Sequence, residues 1–368
     1  MLADEASSLD WEPVSGLSVD EVVSKYSGVP RGLLAEMVSR PSNVDDFKLK
    51  IIEEHCSHVG SDEPKDAAGS LRYKLRCWDN LDETSGTKVF VLIHGLGGSL
   101  EQFEPLIKLL HLNKLPVIAV DLPGFGGSEP LDDNIKYDMD HVADIIREIV
   151  TQKLVATTAL GEWSLSLVGH SMGCYICTHL YLKLSEQFHV KQIVMCTPPA
   201  PYVPILDKAN WKMQFVFRVL LRVPILFDWY RSFFDRSYGL EGSGIKNFFY
   251  EGKELETNRT LLQYWKLCQF SRNIENSSYI FFEYLVGWIT PDWDSFSDAL
   301  TKNGSKISVL YAENDKVVSE DGVKQLFDLF IDIADENKSL IKVEHCGHNL
   351  FYNDPKKLCK TFEENFMF

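Results

Sequence analysis

The chain has 368 residues, 45% of them hydrophobic and 24% charged, with a formal net charge of −16. This is the balance of a globular protein, long enough to bury a core in one large domain or two smaller ones. The acidic excess argues against nucleic acid as a partner, because phosphate neutralisation needs a basic face; acidity of this kind speaks to solubility and not to fold.

The first residues, Met1 to Glu5, are acidic with no apolar run behind them, so no secretory signal is expected. No stretch approaches 18 uninterrupted apolar residues, so no transmembrane helix is expected either. The chain ends Asn365-Phe366-Met367-Phe368, which is not a peroxisomal Ser-Lys-Leu tail. An intracellular location is therefore expected. The eight cysteines are scattered and are read as free thiols. Cys174 and Cys177 form a C-x-x-C pair, but no second pair or His pair accompanies them. Their spacing puts both on one helix face, where core packing is the better reading.

In chain order, residues 1–65 read as a helical N-terminal extension. Ser18-Val19-Asp20-Glu21 resembles a capping box before Val22 and Val23. A second helical run follows Pro30, and a third spans Val44 to Cys56. Residues 57–69, rich in Ser, Gly, Asp and Lys, read as a loop. Leu71 to Trp78 then alternates with period two, predicting a half-exposed strand. Continuous apolar runs follow at Val89–Ile93, Val117–Val120, Leu165–Val168, Ile193–Cys196 and Ile307–Tyr311, each suited to a strand buried on both faces of a parallel sheet. Helical stretches at Asp138–Val150 and Met172–Leu184 lie between some of them. The alternation predicts an α/β domain over residues 70–368, with a mostly parallel central sheet flanked by helices. It breaks between Pro198 and Gly304, a region rich in aromatics, which reads as a helical cap inserted at about residues 200–303.

The strongest chemical signal is Gly169-His170-Ser171-Met172-Gly173, a G-x-S-x-G between a buried strand and a helix. A serine hydroxyl needs exposure, a base and an oxyanion stabiliser to act as a nucleophile. A tight strand–turn–helix exposes Ser171 and aims the helix N-terminus at developing negative charge. Upstream, His94-Gly95-Leu96-Gly97-Gly98 follows another buried strand, where such a loop offers a second amide to the oxyanion. The two donors are assigned to the backbone amides of Leu96 and Met172.

The base is expected late in the chain. His345 and His348 compete; a strand ending near His345 puts His348 in the loop above the sheet edge, so His348 is preferred. The orienting acid should follow the strand Ile307–Tyr311. Asp315 is preferred over Glu313, which lies closer to the strand end, and the order Ser, Asp, His is that of α/β hydrolases. A serine nucleophile points to acyl transfer, and no metal or organic cofactor is called for. Asp121 and the glycines after it are expected to shape a neighbouring loop.

Trp211 to Tyr230 is dense in large apolar side chains, with Arg218 and Arg222 sharing a helix face. Residues 201–240 hold six Lys or Arg and three Asp, a local +3 in an acidic protein. Two readings stay open: a lipid interface or acyl pocket, and a cap helix packed on the core.

Residues 70–368 resemble the α/β-hydrolase family. More narrowly, the chain resembles the lipid-droplet hydrolases of budding yeasts. Carrying this are Trp11 to Gly16, Leu100 to Leu106, Asp121 to Gly126, Val168 to Cys174, Thr197-Pro198-Pro199, Ser243 to Lys246, and Gly287-Trp288 with Asp292-Trp293. The resemblance implies a serine esterase and triacylglycerol lipase at the lipid-droplet surface or in the cytoplasm, with Ser171, Asp315 and His348 as the triad. Two rivals differ in class. One is acyl transfer to a lipid acceptor, which the six-residue separation of His348 and Asp354 fits poorly. The other is a non-catalytic lipid-droplet binding module, whose sign would be a degraded triad.

Overall fold

The computed structural model describes residues 13–27, 45–60, 73–84, 86–132, 135–157, 163–253 and 259–367. Eight strands form one sheet: β1 Cys56–Gly60, β2 Lys74–Asp79, β3 Lys88–Ile93, β4 Val117–Val120, β5 Ser164–His170, β6 His189–Cys196, β7 Lys306–Ala312 and β8 Lys338–Val343. Their order is β1-β2-β4-β3-β5-β6-β7-β8. β2 runs antiparallel to both β1 and β4. From β4 through β8 every pairing is parallel. Ile93 pairs with Gly169 and His170 with Cys196, so β3, β5 and β6 end level at one edge.

The apolar runs form strands because both faces are covered. Val89, Val91 and Ile93 belong to one core and Phe90 and Leu92 to the other, the period-two division of a pleated strand. On the first side lie the helices Met139–Ala156, Met172–Leu184, Trp293–Asn303 and Glu320–Asp328. On the second lie Glu104–Leu112 and Pro355–Asn365. Asp138 caps the first of these helices by accepting from the amide of His141 at 2.9 Å. Cys174 and Cys177 are buried free thiols within the first core.

Three expectations are corrected. The loop expected from residue 57 begins instead as a strand: helix Lys50–Glu54 ends before Cys56, and Cys56–Gly60 is the edge strand β1, pairing with β2. β2 is not half-exposed, since Leu75, Arg76, Cys77 and Trp78 are all buried. The extension covers its second face, where the Trp78 indole donates to the carbonyl of Ile51 at 2.8 Å. The cap ends near residue 292, because Phe296 and Leu300 of helix Trp293–Asn303 insert beside Tyr181 in the core layer. The long run from Trp211 to Tyr230 breaks at Pro224 into two helices, Trp211–Arg222 and Ile225–Phe234. The helical run expected after Pro30 and the tryptophan at position 11 lie outside the described residues.

The cap also contains the helices Arg259–Glu275 and Ser278–Val286. The first is clamped from outside by the extension: Val19, Val22, Tyr26, Phe47 and Ile52 share a core with Leu261, Trp265 and Cys268. No helix among the described residues is long and apolar enough to cross a membrane.

Candidate active site

Ser171 sits between β5 and helix Met172–Leu184 with φ 51° and ψ −123°, a strained conformation for a residue with a side chain. The turn is tight because its neighbours lack side chains. A Cβ on Gly173 would fall 2.3 Å from the carbonyl oxygen of Ile93, and one on Gly169 would fall 2.7 Å from the Cα of Cys174. The Ser171 amide donates to the carbonyl of Cys196 at 2.9 Å, which ties the elbow to β6. Met172 opens the helix, so its amide has no acceptor within that helix.

Asp315 and His348 meet beyond the ends of β7 and β8. The Nδ1 of His348 lies 2.8 Å from Oδ2 of Asp315, with both side chains almost wholly buried. The other carboxylate oxygen of Asp315 accepts from the amides of Val317 and Val318 at 2.7 and 2.8 Å, which fixes its orientation. Ser171 and His348 face the same narrow cavity, together with Gly95, Leu96, Phe248, Gln269 and Asn349. Its volume is about 20 Å³, room for a single water. His345 and Glu313 pair with each other: the Nδ1 of His345 lies 3.6 Å from Glu313, which also binds Lys342 at 2.8 Å. Neither lines that cavity.

Residues to which the sequence assigned no role of their own hold His348. His170 Nε2 donates to the His348 carbonyl at 3.1 Å, and the Thr197 hydroxyl reaches the same oxygen at 3.2 Å. Burial, and then the charge His348 can carry, push His170 down to about 3, so it stays neutral. Phe248 of the cap packs its ring on the His348 imidazole, and its carbonyl accepts from the amide of Asn349 at 3.0 Å.

The loop 94–98 lies against the elbow: a Cβ on Gly95 would fall 2.9 Å from the Cβ of Ser171. The amide of Leu122 donates to Nε2 of His94 at 2.9 Å, leaving Nδ1–H to donate to the carbonyl of Gly95 at 2.8 Å. Burial pushes His94 down to about 4, so it acts as a neutral link between two loops. Asp121 shapes the second of these, accepting from the amides of Leu100 at 2.7 Å and Gly127 at 2.8 Å.

A larger cavity of about 250 Å³ adjoins the first, sharing Leu96, Phe248 and Gln269. Phe227, Tyr230 and Phe281 make its apolar wall, and Arg231, Asp235, Asn273 and Asn276 a polar end. Above it, burial in helix Ile225–Phe234 is inverted. Arg231 is 8% exposed, whereas Ile225 is 69% and Trp229 58% exposed. Helix Trp211–Arg222 likewise exposes Trp211 and Phe215. The hairpin therefore turns a broad apolar face to solvent, which removes the reading that it simply packs on the core.

For a metal, the candidate group among the described residues is His55, Glu83 and His111, whose ligand atoms lie within 4.8 Å of one another. It fits poorly. The Asn80 amide is fixed by Val117 N–H and the Leu115 carbonyl, so its N–H is aimed at Nδ1 of His111, 3.3 Å away. A metal on Nε2 would place a proton on Nδ1, facing that donor. None of the three lines the Ser171 cavity.

The model of the alpha/beta hydrolase fold family matches residues 88–355, and the chain belongs to that family. The chain is 31% identical over 382 residues to Lipid droplet hydrolase 1 of Saccharomyces cerevisiae, covering 98% of this chain and 96% of that one. Protein phosphatase methylesterase 1 of Kluyveromyces lactis is 28% identical over 163 residues, 42% of this chain and 41% of its own length. Among solved structures, a thermophilic esterase from Thermogutta terrifontis superposes with a TM-score of 0.57 at 16% identity, covering 84% of this chain and 97% of that one. An esterase from Exiguobacterium antarcticum gives 0.56 at 21%, covering 81% and 96%. At these identities the two structures speak to the fold alone.

Proposed function

We propose that this α/β hydrolase cleaves the esters of lipids through an acyl-enzyme on Ser171, working at an apolar surface such as that of a lipid droplet. The observation carrying the chemistry is the His348–Asp315 contact beside a strained, cavity-facing Ser171. Asp315 accepts from Nδ1–H of His348, which leaves Nε2 free to take the Ser171 proton. The serine oxygen attacks the ester carbonyl, and the oxyanion forms against the amides of Leu96 and Met172. His348 returns the proton to the leaving alkoxide, the alcohol departs, and the acyl group stays on Ser171. Water, deprotonated by the same Nε2, then releases the acid and restores the serine.

The substrate class rests on the cap. Apolar side chains line the larger cavity, and the exposed faces of helices Trp211–Arg222 and Ile225–Phe234 carry aromatic and aliphatic groups beside Lys208, Lys212, Arg218 and Arg222. An apolar face with basic flanks suits the surface of a lipid phase bounded by anionic headgroups. The relative from Saccharomyces cerevisiae is named for a lipid droplet. Transfer to a lipid acceptor is not favoured, since Asp354 serves as a helix cap and accepts from the amide of Lys357 at 3.1 Å.

The test is hydrolysis of p-nitrophenyl esters of rising acyl length, and of emulsified triacylglycerol, by the protein and by Ser171→Ala. Activity that rises with chain length and vanishes in the variant supports the proposal. Equal rates in both proteins would overturn the role of Ser171, and activity confined to short esters would overturn the lipid substrate.

A further inference from the structure

The mechanism needs the Leu96 amide held in one place, yet Leu96 stands in a loop rich in glycine. Within that loop the amide of Gly98 donates to the carbonyl of Gly95 at 3.1 Å, closing a turn. Gly97, at φ +68°, occupies the left-handed region that the turn requires, and its carbonyl leaves the turn toward the cap. There the side-chain amide of Asn276 donates to it at 2.6 Å. Asn276 follows the end of helix Arg259–Glu275, so a residue of the cap holds the Gly97–Gly98 peptide group, in the same turn as Leu96.

Asn276 is itself held from the apolar hairpin. Nη1 of Arg231 donates to the Asn276 carbonyl at 2.9 Å and to the Ser278 hydroxyl at 3.0 Å. Nη2 binds the carbonyl of Asn273 and, at 2.8 Å, its side-chain oxygen. A guanidinium is planar and presents its N–H groups in a fixed fork, so four acceptors at these places fix the turn between the two cap helices as a rigid body. Arg231 faces inward from the same helix that turns Ile225 and Trp229 to solvent. An unbroken path of contacts thus runs from the exposed hairpin through Arg231 and Asn276 to Gly97, the residue after Leu96.

We propose that Asn276, held by Arg231, is a positioning residue for the oxyanion site: by binding the Gly97 carbonyl it aims the Leu96 amide, and it makes the geometry of that site depend on the placement of the apolar hairpin. The proposal rests on Ser171 being the nucleophile and Leu96 an oxyanion donor. Neither Asn276 nor Arg231 contacts the reacting atoms.

The experiment uses the full chain and a short, monomeric p-nitrophenyl ester, so that surface binding does not enter. Asn276→Asp keeps the size of the side chain but replaces its donor with an acceptor facing the Gly97 carbonyl; Asn276→Ala removes the contact. A misplaced donor costs up to about 100-fold in rate. The expected result is a kcat lower by about 10- to 100-fold in both variants, KM within about twofold, and an unchanged melting midpoint. The affinity for an alkyl boronic acid, whose tetrahedral adduct on Ser171 places an oxygen in the oxyanion site, should fall in parallel. Arg231→Lys, which keeps the charge but not the fork, should move the same two readouts in the same direction. A kcat within twofold of the parent in Asn276→Asp overturns the proposal. So does a fall in kcat with undiminished boronate affinity. Failure of the Ser171 assignment itself is distinguishable, because Ser171→Ala would then retain activity and the boronic acid would bind both proteins alike.

Discussion

Replacing Asp315 by Asn tests whether this site works as drawn, because the surroundings dictate how the new side chain must turn. Oδ1 of Asp315 accepts two amides, Val317 and Val318, and Oδ2 faces Nδ1 of His348. An asparagine that aimed its NH₂ at the two amides would set donor against donor and lose both hydrogen bonds, at about 0.5–1.5 kcal/mol each. It will keep its oxygen there and turn the NH₂ toward His348. Nδ1 must then accept, the ring proton moves to Nε2, and Nε2 can no longer take a proton from Ser171. Inverting this tautomer in a Ser-His-Asp site costs about 10⁴-fold in kcat, or about 5.5 kcal/mol of barrier. The assay is steady-state hydrolysis of a p-nitrophenyl ester by Asp315→Asn and the parent at equal folded concentration. A loss below tenfold, or one confined to KM, would refute the reasoning.

Two further outcomes concern the buried ionisable groups beneath the loops around Ser171. Burial, reinforced by the charge of Glu101, pushes Glu104 well above the usual carboxylate range. The folded state therefore keeps a proton that the unfolded chain releases above its ordinary value of 4.5, and this group lowers stability as pH rises, by up to about 1.4 kcal/mol per pH unit. Glu104→Gln should be more stable than the parent by an amount that grows from pH 5 to pH 7 in urea titrations, and a difference independent of pH would refute this. Arg76 binds Glu101 at 2.6 Å, Asp121 at 3.4 Å and Glu53 at 3.1 Å, so Arg76→Met strands buried carboxylates and should cost about 3–5 kcal/mol; a denaturation midpoint near that of the parent would count against it.

What the sequence conveyed depended on how local the signal was. β3, β5, β6 and β7 are buried on both faces, so their apolar runs carried their identity without tertiary information. The elbow was legible because its glycines stand beside the serine they make room for, and chain order pointed to Asp315 and His348, the proposed acid and base, which lie 2.8 Å apart. β1 was not legible: Cys-Ser-His-Val-Gly has no strand pattern, and only pairing with β2 makes it one. Helix Trp293–Asn303 has an amphipathic face that would serve a cap or a core equally well, and contact with Tyr181 decides between them. The composition of Trp211–Tyr230 left burial and exposure open because the deciding fact is the inward turn of one arginine. Asn276 escaped notice for the same reason, since the carbonyl it holds lies 179 residues away.

The clamp of the extension over the long cap helix also sets an order of events during synthesis. Cys268 touches the carbonyl of Phe47 across 221 residues. At about 5–20 residues per second, the segment carrying Phe47 leaves the ribosome about 10–45 s before the surface it must cover. Until then Val19, Val22, Tyr26 and Ile52 lack the cap helix that covers them, so a segment made early is among the last to complete its packing. Nascent chains halted before residue 259 will display that greasy strip to any holdase near the exit tunnel, whereas chains halted beyond residue 275, once clear of the tunnel, can tuck it away.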